Sequence, residues 1–180
     1  MLRRLSLLAC LCLFPLPRDG LAAETPAAKD VTLRVATFNA MLNRRAPGAL
    51  IGDLADPDNA QLAAVAEIIQ RVRPHVLLLN EFDYDEGHRA IDLFREKWLA
   101  VAHDGARPID YPYVYLAPVN TGVPTGYDLD HDGRNDRAAD AQGYGAFPGQ
   151  YGMVLLSQLP IDTAAVRTFR LFLWKDMPGA

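Results

Sequence analysis

Two stretches decide how this chain reads: VTLRVATFN, residues 31–39, and HVLLLNE, residues 75–81. In the first, Val31, Leu33, Val35, Thr37 and Asn39 fall on one face of an extended chain and Arg34, Ala36 and Phe38 on the other, the period of two that marks a strand. In the second, Val76 to Leu79 is an unbroken apolar run, which predicts a strand buried on both faces and ending at Asn80 and Glu81. Between them comes a loop rich in Pro, Gly and Asp, then a helix. Asp58 or Asn59 caps it, Leu62, Val65, Ala66, Ile68, Ile69 and Val72 recur at helical spacing, and Pro74 ends it. Strand, helix, strand is a βαβ unit, and if its strands are parallel neighbours, Asn39 and Glu81 project at one edge, where α/β sheets bind ligands. A carboxylate beside a carboxamide offers hard oxygen ligands for Mg²⁺ and an N–H donor for a phosphate oxygen, the combination that phosphoryl transfer requires, against the plainer reading that a polar residue ending a strand forms a turn or caps a helix.

Working outward, Ile91, Phe94 and Trp98 predict a second helix, and Tyr111–Leu116, Tyr151–Ser157 and Val166–Trp174 predict further strands. Residues 117–150 form a long Gly-, Asp- and Pro-rich segment, which in a compact domain signals a functional or ion-stiffened loop. The amino end has another character. Arg3 and Arg4, the apolar stretch Leu5–Leu16 and the small residues around Ala22 read as a secretory leader, cleaved after Ala22. Residues 1–22 are thus expected to be a signal peptide, 23–30 a tether and 31–180 the domain, secreted or periplasmic. A bacterial lipoprotein box at Leu7–Cys10 and an anchor helix are the weaker readings of the same segment. Both cysteines, Cys10 and Cys12, lie in the leader, so the exported part has no disulfide.

The chain has 180 residues, half of them hydrophobic and 22% charged, with a formal net charge of −4. This is ordinary globular composition without the broad basic field that drives non-specific nucleic-acid binding. Without the leader 15 Lys and Arg face 21 Asp and Glu, a net of −6.

Three local sequences, in order, carry a resemblance: Val35 to Asn39 (VATFN), Pro74 to Glu81 (PHVLLLNE) and Tyr151 to Ile161 (YGMVLLSQLPI). Together they resemble the endonuclease/exonuclease/phosphatase superfamily, the deoxyribonuclease-I-like fold. The resemblance implies a four-layer α/β sandwich of two packed mixed sheets, with Asn39 at the metal–phosphate site and Glu81 holding the catalytic Mg²⁺ or Mn²⁺. Two positions depart from the family pattern: Asn80 stands where Gln is usual and Gln158 where Arg is usual. The family continues with a His, an Asp-x-Asn pair and an Asp-His pair. None of these follows Ile161 here, and His75, His88, His103 and His131 all precede it. The expectation is an N-terminal part of such a domain, inactive by itself, with a sheet edge and an apolar face uncovered.

A second constellation is Asp128, Asp130, Asp132 and Asp136 with Gly133, spaced like the first half of an EF-hand-type Ca²⁺ loop. The twelfth position is Ala139 and Asp140 comes one residue late, so a full EF-hand is excluded, but the run still resembles the calcium loops of extracellular proteins: the expectation is Ca²⁺ bound by these aspartates and stiffening the long loop, against a merely solvated acidic turn. His131 is expected to be exposed. Arg44 and Arg45 are candidates for a substrate phosphate, against a merely solvated role. Tyr111, Tyr113 and Tyr115 alternate on one face and are expected to pack there rather than stack on bases, and Asp83, Asp85 and Glu86 either supplement Glu81 or open the next helix. The resulting expectation is a secreted, metal-dependent phosphoesterase acting on a phosphate-ester substrate, nucleic acid included, monomeric and without stable membrane insertion. The alternative is a non-catalytic secreted calcium-binding or adhesive module.

Overall fold

The computed structural model describes residues 31–180; the leader and tether, residues 1–30, lie outside the described residues. Four strands form one mixed sheet: β1 (Val35–Leu42), β2 (Val76–Phe82), β3 (Tyr113–Leu116) and β4 (Met153–Ser157), in the order β1-β2-β4-β3. β1 and β2 are parallel, as the βαβ reading requires, and β4 runs antiparallel to both β2 and β3. Three helices accompany them: α1 (Ala49–Ala55), α2 (Ala60–Val72) and α3 (Arg89–Leu93), the last running on into a π-helical turn, Phe94–Leu99.

One face of the sheet holds the core. Ala40 and Leu42 of β1, Leu77, Leu79 and Phe82 of β2, and Val154 and Leu156 of β4 are buried with Leu50 and Leu54 of α1, Leu62, Val65, Ala66 and Ile69 of α2, and Ile91, Phe94 and Trp98. The opposite face is only partly covered: Val35 is 68% exposed and Met153 47%, while Leu78 and Leu155 are half-buried and line a cavity with Val166, Arg167 and Thr168. β2 is therefore buried on one face and not on both. Among the described residues there is one sheet, not two. None of their helices is long and apolar enough to cross a membrane.

α2 follows its sequence signals. Asn59 caps it by accepting from the Leu62 amide at 3.1 Å, and Arg73, in left-handed backbone, closes it just before Pro74. Ile68 and Val72, expected on the buried stripe, are instead 46% and 44% exposed at its margin. Four expectations are corrected. β1 begins at Val35 rather than Val31 and continues past Asn39. The segment expected to be loop contains α1, whose two buried leucines lie four residues apart in a helix too short to show a period. Tyr111 precedes β3; it is buried and donates its hydroxyl to the Pro74 carbonyl at 2.8 Å, whereas Tyr113 is 39% exposed, so the three tyrosines do not pack alike. Residues 166–174 form no strand: no neighbour supplies a ladder, and Phe169, Leu171 and Trp174 remain exposed.

Candidate metal and phosphate site

The site arises where the β1–β2 ladder breaks its period. Pairing runs in step from Val35 with Val76 to Asn39 with Asn80, then jumps so that Leu42 meets Phe82. Two residues of β1, Ala40 and Met41, thus oppose the single residue Glu81, as in a bulge. Met41 and Glu81 both have positive φ, 51° and 57°. In β2 this changes which side chains face inward: Leu77 and Leu79 are buried, and Phe82 rather than Glu81 comes next. Left-handed backbone costs a non-glycine residue on the order of 1–2 kcal/mol. Here it turns a carboxylate out of the core at the carboxyl edge of the sheet, and such strain gathers at functional sites.

Glu81 is half-buried and its Oε2 accepts from Asn43 Nδ2 at 2.9 Å. No lysine or arginine pairs with it among the described residues. Asn39, beside Asn80 in the register, is exposed, and its Oδ1 accepts from the Met41 amide at 3.1 Å, leaving Nδ2 free to donate. Asn80 turns back and donates to Thr37 Oγ1 at 2.8 Å. The ladder thus brings the Asn39 and Glu81 positions to one edge, as their sequence positions required. A carboxylate with no cationic partner and a free carboxamide form a donor set that suits a hard divalent cation and a phosphate oxygen.

The neighbouring charges are already engaged. Arg44 is paired through Nε with Asp53 and donates to Gln61 Oε1 at 3.1 Å and the Asn43 carbonyl at 2.8 Å, so it buttresses the loop. Arg45 is exposed. Asp83 is 5% exposed and accepts from the Arg44 amide at 2.7 Å and the Tyr151 amide at 3.1 Å. Burial pushes its carboxyl above the usual range, against the pull of those two donors. Asp85 accepts from the Arg89 and Ala90 amides and opens α3. Asp83 and Asp85 therefore spend their oxygens on backbone, while Glu86 is exposed. The long loop is anchored at this edge: the Tyr84 amide donates to the Gly149 carbonyl at 2.9 Å, and Gln150 Nε2 donates to the Arg44 carbonyl at 2.6 Å.

Within that loop, Asp128, Asp130 and Asp140 bring carboxylate oxygens within 4.8 Å of one another. Asp132 pairs with Arg137 at 2.6 Å and Asp136 with Arg134 at 2.8 Å, and both stand outside the cluster. The Arg134 guanidinium holds the Asp136 carboxyl below its usual range. His131 is exposed, as expected. Asp140 was set aside in the sequence because a twelve-residue template looks one position earlier. Asn43 escaped it because period-two counting stops at a bulge.

The description Endonuclease/Exonuclease/phosphatase family matches residues 36–180, four-fifths of the chain. No curated protein and no solved structure matches it. With its mixed α/β architecture and its parallel β1–β2 pair, the chain belongs to the endonuclease/exonuclease/phosphatase family, whose members are hydrolases of phosphate esters and generally use divalent metal ions.

Proposed function

We propose that the Asn39–Glu81 edge is the metal and phosphate site of a nuclease-like phosphoesterase. One observation carries this reading: Glu81 is a half-buried carboxylate, turned out of the core by left-handed backbone, with no cationic partner among the described residues. Glu81 would hold the divalent cation, Mg²⁺ or Mn²⁺, with the Asn39 carboxamide oxygen as the other protein oxygen at this edge. When bound, such an ion neutralises charge on the phosphoryl oxygens and the leaving oxygen. Asn39, its Oδ1 fixed by the Met41 amide, directs Nδ2 to a non-bridging phosphate oxygen.

Neither group is hydrogen-bonded to a histidine among the described residues. His75 accepts from the Arg34 amide at the opposite end of β2, and His103 stacks on Trp98. The acidic composition disfavours tight duplex binding, and the Arg3/Arg4 leader supports export. The Asp128, Asp130 and Asp140 cluster favours a second divalent-ion place, Ca²⁺ outside the cell, stiffening the loop whose base meets the site.

The test is Glu81→Gln, made in a chain that carries Asp128→Asn and Asp130→Asn so that the acidic loop does not contribute, followed by calorimetric titration with Mg²⁺. The chain with Glu81 intact should bind the ion, and the variant should bind at least about ten-fold more weakly. Equal binding by both would overturn the reading and leave the non-catalytic calcium-binding module.

A further inference from the structure

We propose that Asn43 is the positioning residue for the Glu81 carboxylate, fixing which of its oxygens is presented to the metal; this rests on the function proposed above. The Asn43 Nδ2 donor lies 2.9 Å from Glu81 Oε2 and spans the point where the β1–β2 register jumps. Glu81 has no ladder partner there, so its side chain has no neighbour imposed by strand pairing. The amide supplies one. With Oε2 engaged, Oε1 would be the oxygen offered to the ion.

Asn43 is itself held on both flanks. The Leu42 carbonyl accepts from the Asp83 amide at 3.3 Å, the Arg44 amide donates to Asp83 Oδ2, and the Asn43 carbonyl accepts from Arg44 at 2.8 Å. The donor is therefore placed by backbone, and its direction does not depend on a bound ligand. An outer partner of this kind sets the orientation of a metal ligand, and its loss typically lowers metal affinity about 10–100-fold.

A simple clasp across the bulge would lower thermal stability on removal and leave ion affinity alone. Mn²⁺ binding, followed by the electron paramagnetic resonance of the free ion, separates the two roles. All variants carry Asp128→Asn and Asp130→Asn, so that the acidic loop does not contribute. Asn43→Leu keeps the shape and loses the donor; Asn43→Ser, too short to reach Glu81, serves if the leucine variant fails to fold. Both should weaken Mn²⁺ binding at least about ten-fold with the melting temperature of the metal-free protein little changed, and Asn43→Gln, which retains an amide donor, should recover most of the affinity. Wild-type affinity in the leucine or serine variant, alongside loss in Glu81→Gln, overturns the role of Asn43 and leaves the site standing. Undiminished binding in Glu81→Gln overturns the site itself.

Discussion

At Tyr111 a single hydroxyl ties β3 to the end of α2. Its ring is buried and its donor reaches the Pro74 carbonyl at 2.8 Å. Burial holds the phenol above its ordinary 10.0, against the opposing influence of Arg73. The native state thus keeps a proton that the unfolded chain loses above about pH 10, so this contribution is full at neutral pH and declines as pH rises past that point. Tyr111→Phe should cost about 1 kcal/mol at pH 7 through the lost hydrogen bond. Urea titrations at about pH 8 and about pH 11 should show the wild type's advantage shrinking with pH; an advantage that stays constant would refute the assignment. At this scale the sequence was partly transparent. The placement of Asn39 and Glu81 at one sheet edge was legible because period-two counting and the local sequences VATFN and PHVLLLNE put them on neighbouring parallel strands. Asn43, Asp83 and Gln150 were not, since their roles depend on partners 38, 39 and 106 residues away.

Among the elements, the long loop between β3 and β4 has its own internal order. Gly122 has φ 70°, and a Cβ there would lie 1.7 Å from the Phe147 carbonyl oxygen, so two backbone segments cross where only glycine fits. Asp140, buried, accepts from the Leu129 amide at 2.8 Å and the Arg137 amide at 3.2 Å, which folds residues 128–140 around its carboxylate. Millimolar Ca²⁺ should raise the melting temperature by about 3–6 °C, as expected for an ion bound only by the native state at roughly ten times its Kd. Asp130→Asn, at the exposed member of the cluster, should abolish the rise; no rise in the wild type would remove calcium from the account. The acidic spacing was legible, but the approach of the Asp140 carboxylate to Asp128 and Asp130 was not, because chain folding rather than a fixed template brings it into range. α2 and the β1–β2 pair were likewise readable from caps and periodicity, whereas seven-residue α1 was not.

At the largest scale, the core of the described residues lies on one side of the sheet. The other side exposes Val35 and Met153, and the carboxyl-terminal segment adds Phe169, Leu171 and Trp174 at 68%, 77% and 73% exposure. So much apolar surface should bind the dye ANS in the native state. Leu171→Glu with Trp174→Glu should reduce that fluorescence by about half while leaving the melting temperature within about 2 °C, since exposed substitutions far from packed groups change stability little. Unchanged fluorescence would locate the dye elsewhere. The alternation of residues 166–174 suggested a strand because sequence shows a face but not whether a neighbour exists to pair with it.

The strand order carries one further consequence. β3 and β4 are adjacent and antiparallel, so a turn of a few residues would suffice to join them, yet residues 117–152 intervene. Closing a loop of that length instead of a tight turn costs about three doublings, roughly 2 kcal/mol of chain entropy. Folding of the sheet gains nothing from that expense. The segment is fixed to the site edge at its base, through Gly149, Gln150 and Tyr151, so its outer part is a graft whose length could vary while β1 and β2 keep the Asn39 and Glu81 positions at the same edge.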